Sequence, residues 1–145
     1  MRLLGVDFGE RRIGLAVSDR LGLTAQGLTV LTRRGMPEDL EALSKVAVEQ
    51  EVERIIVGLP LAMDGTRGPA ARRAETFARA LERRTGLPVE LVDERFTTAQ
   101  GQRVLLEANV SRRKRKQVAD QLAAQLILQQ YLEIHRPRTD SSQDA

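Results

Sequence analysis

The first stretch of the chain, Leu3-Leu4-Gly5-Val6-Asp7-Phe8-Gly9, alternates in the manner of a strand. Leu4, Val6 and Phe8 point one way, and Leu3, Gly5 and Asp7 the other. Glu10-Arg11-Arg12 is short enough to be a hairpin turn. Ile13 to Ser18 then reads as an antiparallel partner, with Ile13, Leu15 and Val17 on one face and Gly14, Ala16 and Ser18 on the other. Thr24 to Thr32 supplies a third strand. From Pro37 to about Gln50 the apolar positions switch to helical spacing, at Leu40, Leu43, Val46 and Ala47. Arg54 to Gly58 carries the apolar run of a strand covered on both faces, and Pro60 ends it. A second helix is expected from Pro69 to about Thr85, stopped by Gly86 and Pro88. Val89 to Val92 gives a fifth strand. Thr98 looks like the N-cap of a helix to about Ala108, and a last helix is expected from about Gln117 to Ile134. Its stripe is Leu122, Ala123, Leu126, Ile127 and Tyr131.

Three consecutive strands followed by helix–strand–helix–strand predict an α/β domain with a five-stranded mixed sheet flanked by helices. The expected domain runs from residue 1 to 136, and the polar tail at 137–145 is expected to be disordered. No apolar run approaches the roughly 20 residues of a membrane span, and no secretory signal is visible at the first residues.

Composition narrows the chemistry. Among 145 residues there is no cysteine and one histidine, His135. Disulfides, thiolate zinc sites and multi-histidine metal sites are excluded, and a reducing, cytoplasmic setting is expected. Carboxylates, hydroxyls, arginines, lysines and backbone remain. The net charge is +3, but its clustering matters more. Arg112-Arg113-Lys114-Arg115-Lys116 is a run of cations expected between two helices. If all five met phosphates on duplex, the logarithmic salt slope would reach about −4.5. The aromatics are few, Phe8, Phe77, Phe96 and Tyr131, which favours reading of backbone and shape over base sequence.

Asp7 is the residue that asks for a reason, because a charge in a buried strand is costly without a partner. Asp93 or Glu94 at the end of the fifth strand and Asp120 near the start of the last helix could join it. Ala123 and Ala124 allow that helix to approach the glycine-bearing face of the first hairpin. Two carboxylates about 4 Å apart repel by roughly 4 kcal/mol at an effective dielectric of 20, so a cation is the natural companion. Oxygen donors without His or Cys select Mg²⁺ or Mn²⁺, and paired ions of this kind support in-line phosphoryl displacement. Each acid also has a plainer reading. Asp7 could cap the turn at Gly9, Glu94 could pair with Arg95, and Asp120 could sit near a helix N-terminus where the dipole favours it.

Gly5-Val6-Asp7-Phe8-Gly9 with Arg12-Ile13-Gly14, Val57-Gly58-Leu59-Pro60 with Met63-Asp64-Gly65-Thr66, Asp93-Glu94-Arg95-Phe96-Thr97-Thr98, and Asp120 with Ala123-Ala124 and Ile127-Leu128 resemble the YqgF/RuvX family. That family is described both as Holliday-junction resolvases and as pre-16S rRNA processing nucleases. The resemblance implies a ribonuclease H-like fold and an acidic metal centre, which carries over to Asp7, Glu94 and Asp120. It thereby chooses Glu94 over Asp93. It also implies supporting or phosphate-contacting roles for Arg12, Arg95 and Thr97. The expected activity is hydrolysis of phosphodiesters in structured nucleic acid. Junction resolution would call for a homodimer, whose interface is not legible. Two other readings use the same residues. One is a nucleotide-binding ATPase of the actin and sugar-kinase class, which needs a second domain that 145 residues cannot supply. The other is a non-catalytic RNA-binding ribosome-assembly factor.

Overall fold

The computed structural model describes residues 1–96 and 112–135. Strands β1 (Leu3–Phe8), β2 (Arg12–Ser18) and β3 (Ala25–Thr32) lead into helix α1 (Met36–Glu49). Strand β4 (Arg54–Leu59), helix α2 (Pro69–Thr85) and strand β5 (Val89–Asp93) follow. A single 3-10 turn, Glu94–Phe96, leaves β5, and helix α3 spans Arg112–Ile134. The helix expected from Thr98 to Ala108 and the tail lie outside the described residues, as does Thr97.

The strands form one five-stranded sheet in the order β3-β2-β1-β4-β5. The hairpin strands pair antiparallel, and β4 runs parallel to β1 on one side and to β5 on the other. The mixed sheet follows from the connections. A short turn can only reverse the chain, whereas the helical crossovers return it parallel.

The period-2 pattern sorts the two cores. Leu4, Val6, Ile13, Leu15, Ile55 and Val57 face α1 and α2, where Leu43, Phe77 and Leu81 are fully buried against them. Leu3, Ala16, Ile56 and Val92 face α3, which lays Ala124, Ile127, Leu128, Tyr131 and Leu132 on them. Burying Ile127 and Leu128 stabilises this contact by about 2 kcal/mol each. The buried face of α3 is turned slightly from the expected stripe. Ala124, Leu128 and Leu132 are in it, and Leu122 and Leu126 are only half-buried.

One expectation is corrected. The run Arg112–Lys116 was expected as a segment between helices, but its backbone is already α3. Arginine and lysine are good helix formers, and nothing between 112 and 117 breaks the helix. No helix among the described residues is long and apolar enough to cross a membrane.

Arg54, Glu90 and Tyr131 tie β4, β5 and α3 together. Arg54 Nη1 lies 3.0 Å from Glu90 Oε1, and the Tyr131 hydroxyl meets the same carboxylate. The Tyr131 hydroxyl first and Arg54 second hold the Glu90 carboxyl below its ordinary value. Its stabilising contribution is therefore complete above the usual carboxylate range and is lost as pH falls through the depressed folded value. In a Glu90→Gln variant, stability at pH 7 should fall by about 1 kcal/mol, since the pair is partly exposed. The acid limb of a urea-midpoint profile should become shallower than wild type. An unchanged acid limb would remove Glu90 from the account.

Candidate active site

The site lies where β1 ends. Asp7 pairs in register with Gly14 of β2. On the other side Val6 pairs with Val57 of β4, so the next step places Asp7 beside Gly58. Parity turns Asp7 to the α3 face, between two positions that carry no side chain. It is half-buried there. The turn at Gly9 is closed by Gly9 N–H donating to the Arg12 carbonyl at 3.0 Å, so that amide does not need Asp7 as a cap.

Both glycines are occupied from above. A Cβ on Gly14 would fall on the backbone carbonyl of Asp120, far inside any real contact. A Cβ on Gly58 would lie 2.6 Å from Ile127 Cδ1, 2.8 Å from the Glu94 carboxyl carbon and 2.9 Å from Glu94 Oε1. Gly5 gives the same clearance further along β1, where a Cβ would meet Leu128 Cβ at 2.8 Å. The small residues on this face are thus the surface that lets α3 and Glu94 come down onto the sheet. Asp7 stands between the seat of Asp120 and the seat of Glu94.

Asp120 is the ninth residue of α3. The dipole effect fades within the first turn, so it does not explain an acid placed there. Its carboxylate accepts a hydrogen bond from Arg12 Nε, with the two side chains one-third and one-quarter exposed. Arg12 therefore stands against Asp120.

Asp93 and Glu94 part ways. Arg95 binds Asp93, donating from Nε at 2.9 Å and from Nη2 at 2.7 Å to Oδ2, and from its backbone N–H at 2.9 Å to Oδ1. The side-chain hydrogen bonds of Arg95 hold Asp93 below the ordinary carboxylate range. Glu94 is the acid turned over Gly58. Arg95 also donates from Nη1 to the Met63 carbonyl at 3.2 Å, which fastens the loop after β4 to the strand end. That loop is closed on itself by Ala62 N–H to the Thr66 carbonyl, Gly65 N–H to the Ala62 carbonyl, and two hydrogen bonds from Thr66 to Asp64 Oδ1. The side chains of Arg112, Arg113, Lys114, Arg115 and Lys116 lie outside the described residues, although their backbone is helical.

Among the described residues no three acidic side chains stand close enough as placed to cage a metal ion. The Asp120 carboxylate is turned onto Arg12. The donor set nevertheless fits a hard divalent cation in kind: it is oxygen only and half-buried, and the glycines beside Asp7 let the elements carrying Asp120 and Glu94 approach it. Sequence reasoning named Gly58 only as part of a motif. Its role as the seat of Glu94 was missed, and the signal available was a glycine inside an otherwise continuous apolar strand.

Solved Holliday-junction resolvases share this architecture. The Thermus thermophilus RuvC–Holliday junction complex superimposes with a TM-score of 0.58, 13% identity, and coverage of 92% of this chain and 95% of that one. The fowlpox virus resolvase–junction complex gives 0.56 at 13% identity, covering 94% and 100%. At those identities the likeness defines the fold, which is α/β and ribonuclease H-like. The chain belongs to the RuvX family, described as Holliday junction resolvases, whose model matches residues 1–134. A relative from Myxococcus xanthus is 53% identical over 94% of this chain and 91% of its own length. Another from Desulfitobacterium hafniense is 51% identical over 99% and 100%. Both carry the name "Putative pre-16S rRNA nuclease".

Proposed function

We propose that this chain is a divalent-metal-dependent endonuclease that hydrolyses phosphodiesters in structured nucleic acid, with Asp7, Glu94 and Asp120 as the acids at its centre. The observation that carries the reading is the placement of Asp7 between Gly14, beneath Asp120, and Gly58, beneath Glu94. Membership of the RuvX family supports it. Precursor 16S rRNA is the first substrate to test, because relatives at about half identity bear that name. A four-way DNA junction is the second, from the family description.

In this mechanism Asp7, Glu94 and Asp120 would hold Mg²⁺ or Mn²⁺. Such ions, when bound, acidify water and offset the charge that develops on a phosphoryl group. The chain's own residues do the rest. Asp7 is the pivot, since it lies between the other two acids. Arg12 offsets the mutual repulsion of the carboxylates through Asp120 and brings a fixed cation to the side where a phosphate would lie. Arg95 removes Asp93 from competition and holds the 62–66 loop beside Glu94. The cationic first turns of α3 lead toward Asp120 and supply the sequence-independent attraction for the phosphate backbone.

A side-by-side assay tests this. Wild-type protein is incubated with a precursor 16S rRNA fragment and with a four-way junction, in Mg²⁺, in Mn²⁺ and with chelator. Cleavage of at least one substrate should require the metal and stop with chelator. Binding without metal-dependent cleavage of either would favour the RNA-binding assembly-factor reading instead.

A further inference from the structure

On the other face of the same strand end lies a groove of about 230 Å³, lined by Phe8, Arg33, Met36, Arg72, Arg73 and Thr76. We propose that it is a second phosphate-binding site for the nucleic-acid substrate, taking the backbone of a strand that passes over the C-terminal end of β1 from Asp7. The inference rests on the nuclease reading and adds to it residues that neither the acids nor the basic run involve.

The geometry is specific. Phe8 follows Asp7 in β1, so the two side chains leave one strand end on opposite faces. Its ring stacks on Phe77 with centroids 4.1 Å apart, and the Arg33 guanidinium carbon lies 4.3 Å from the Phe8 centroid. Arg33 is further fixed by Asp39 at 2.9 Å and by the Gly9 carbonyl at 3.3 Å. Arg33 is thus held rigidly at the floor, its charge shared with the buried Asp39. The other two stand in the first turns of α2, where Arg72 makes no ion pair among the described residues and Arg73 has only an exposed contact to Glu10 at 3.4 Å. Cations at a helix N-terminus oppose the macrodipole, and α2 has no acidic residue in its first turn. The arrangement is unfavourable for the isolated helix and suits an anion laid across it. A second copy of this chain is a poor occupant, because the exposed side of α2 presents Arg72, Arg73, Arg79, Arg83 and Arg84 against few acids.

The test uses full-length protein carrying Asp7→Asn, titrated with a labelled precursor 16S rRNA fragment and a four-way junction at several salt concentrations. Arg72→Glu with Arg73→Glu is compared with Arg83→Glu plus Arg84→Glu. The control pair makes the same charge change on the same helix about 17 Å away, beyond a Debye length at physiological salt. Acids in the first turn of α2 favour the helix, so folding should survive. The groove pair should weaken binding at least about 10-fold and flatten the logarithmic salt slope by about 1 to 2. The control should change affinity by less than about 3-fold. Equal losses in both pairs, or none in either, would overturn the groove. So would a change of oligomeric state on sedimentation with affinity intact. If the groove pair leaves affinity unchanged, and the same pair made with Asp7 intact keeps metal-dependent cleavage, the groove fails and the nuclease reading stands. If wild type neither binds nor cleaves, that reading has failed too. Arg72→Gln with Arg73→Gln repeats the slope measurement without charge reversal.

Discussion

Replacing Asp7 by Asn should abolish cleavage, with a loss of about 10³-fold or more, while nucleic-acid binding stays within a few-fold of wild type. The two side chains have the same shape, so the packing against Gly14 and Gly58 is kept. What disappears is one of the charges that the proposed centre gathers. The variant should therefore fold in metal-free buffer at least as stably as wild type. A ligand that binds the native state raises stability in proportion to its occupancy. Wild type should then gain melting temperature with Mn²⁺, and the variant should lose that gain. The pattern separates a ligand from a structural acid. Had Asp7 served only the fold, its loss would lower the metal-free melting temperature and leave the metal response alone. Full cleavage by the variant, with contaminating nuclease excluded, would remove Asp7 from the mechanism.

Much of the fold was legible because local signals agree. The hairpin could be read from Leu4-Val6-Phe8 and Ile13-Leu15-Val17 on either side of a short turn, and Pro69 and Gly86 bracket α2 as expected. The start of α3 was not legible. Five consecutive cations look like a solvated loop, yet each is a good helix former and the helix simply continues through them. For the site, strand parity could place Asp7 opposite Leu4 and Val6, but it could not decide between Asp93 and Glu94. The structure separates the two acids by Arg95, two residues on, taking Asp93, and by Gly58 of another strand leaving room for Glu94; the second is a contact between segments that no local pattern encodes. Arg33 was invisible for the same reason. Its meaning lies in Phe8, Asp39 and Gly9, none of which is its neighbour in sequence.

Gly14→Ala should be the most damaging glycine-to-alanine change among the described residues. Gly14 is clamped within the sheet, paired with Asp7 on one side and Val30 on the other. An added methyl meets the backbone carbonyl of Asp120 in the middle of a long helix, which cannot move aside as a side-chain tip can. Helix α3 has to slide or tilt, and Ala124, Ile127 and Leu128 lose their fit against the sheet. Overpacking of this kind costs about 3 kcal/mol, or roughly 10 °C in melting temperature for a domain of this size. The effect on cleavage should be larger than stability alone accounts for. A displacement of about 1 Å at a reacting centre can cost 10²-fold, and Asp120 is the residue being displaced. Gly27→Ala is the matched control. It lies on β3 beneath the same helix, where a Cβ would meet flexible side-chain atoms, Gln121 Cβ and Oε1 at 3.4 Å and Gln125 Oε1 at 3.7 Å. That variant should keep both its melting temperature and its activity. If Gly14→Ala did the same, α3 could not lie on β2 as described, and Asp120 would have no route to Asp7.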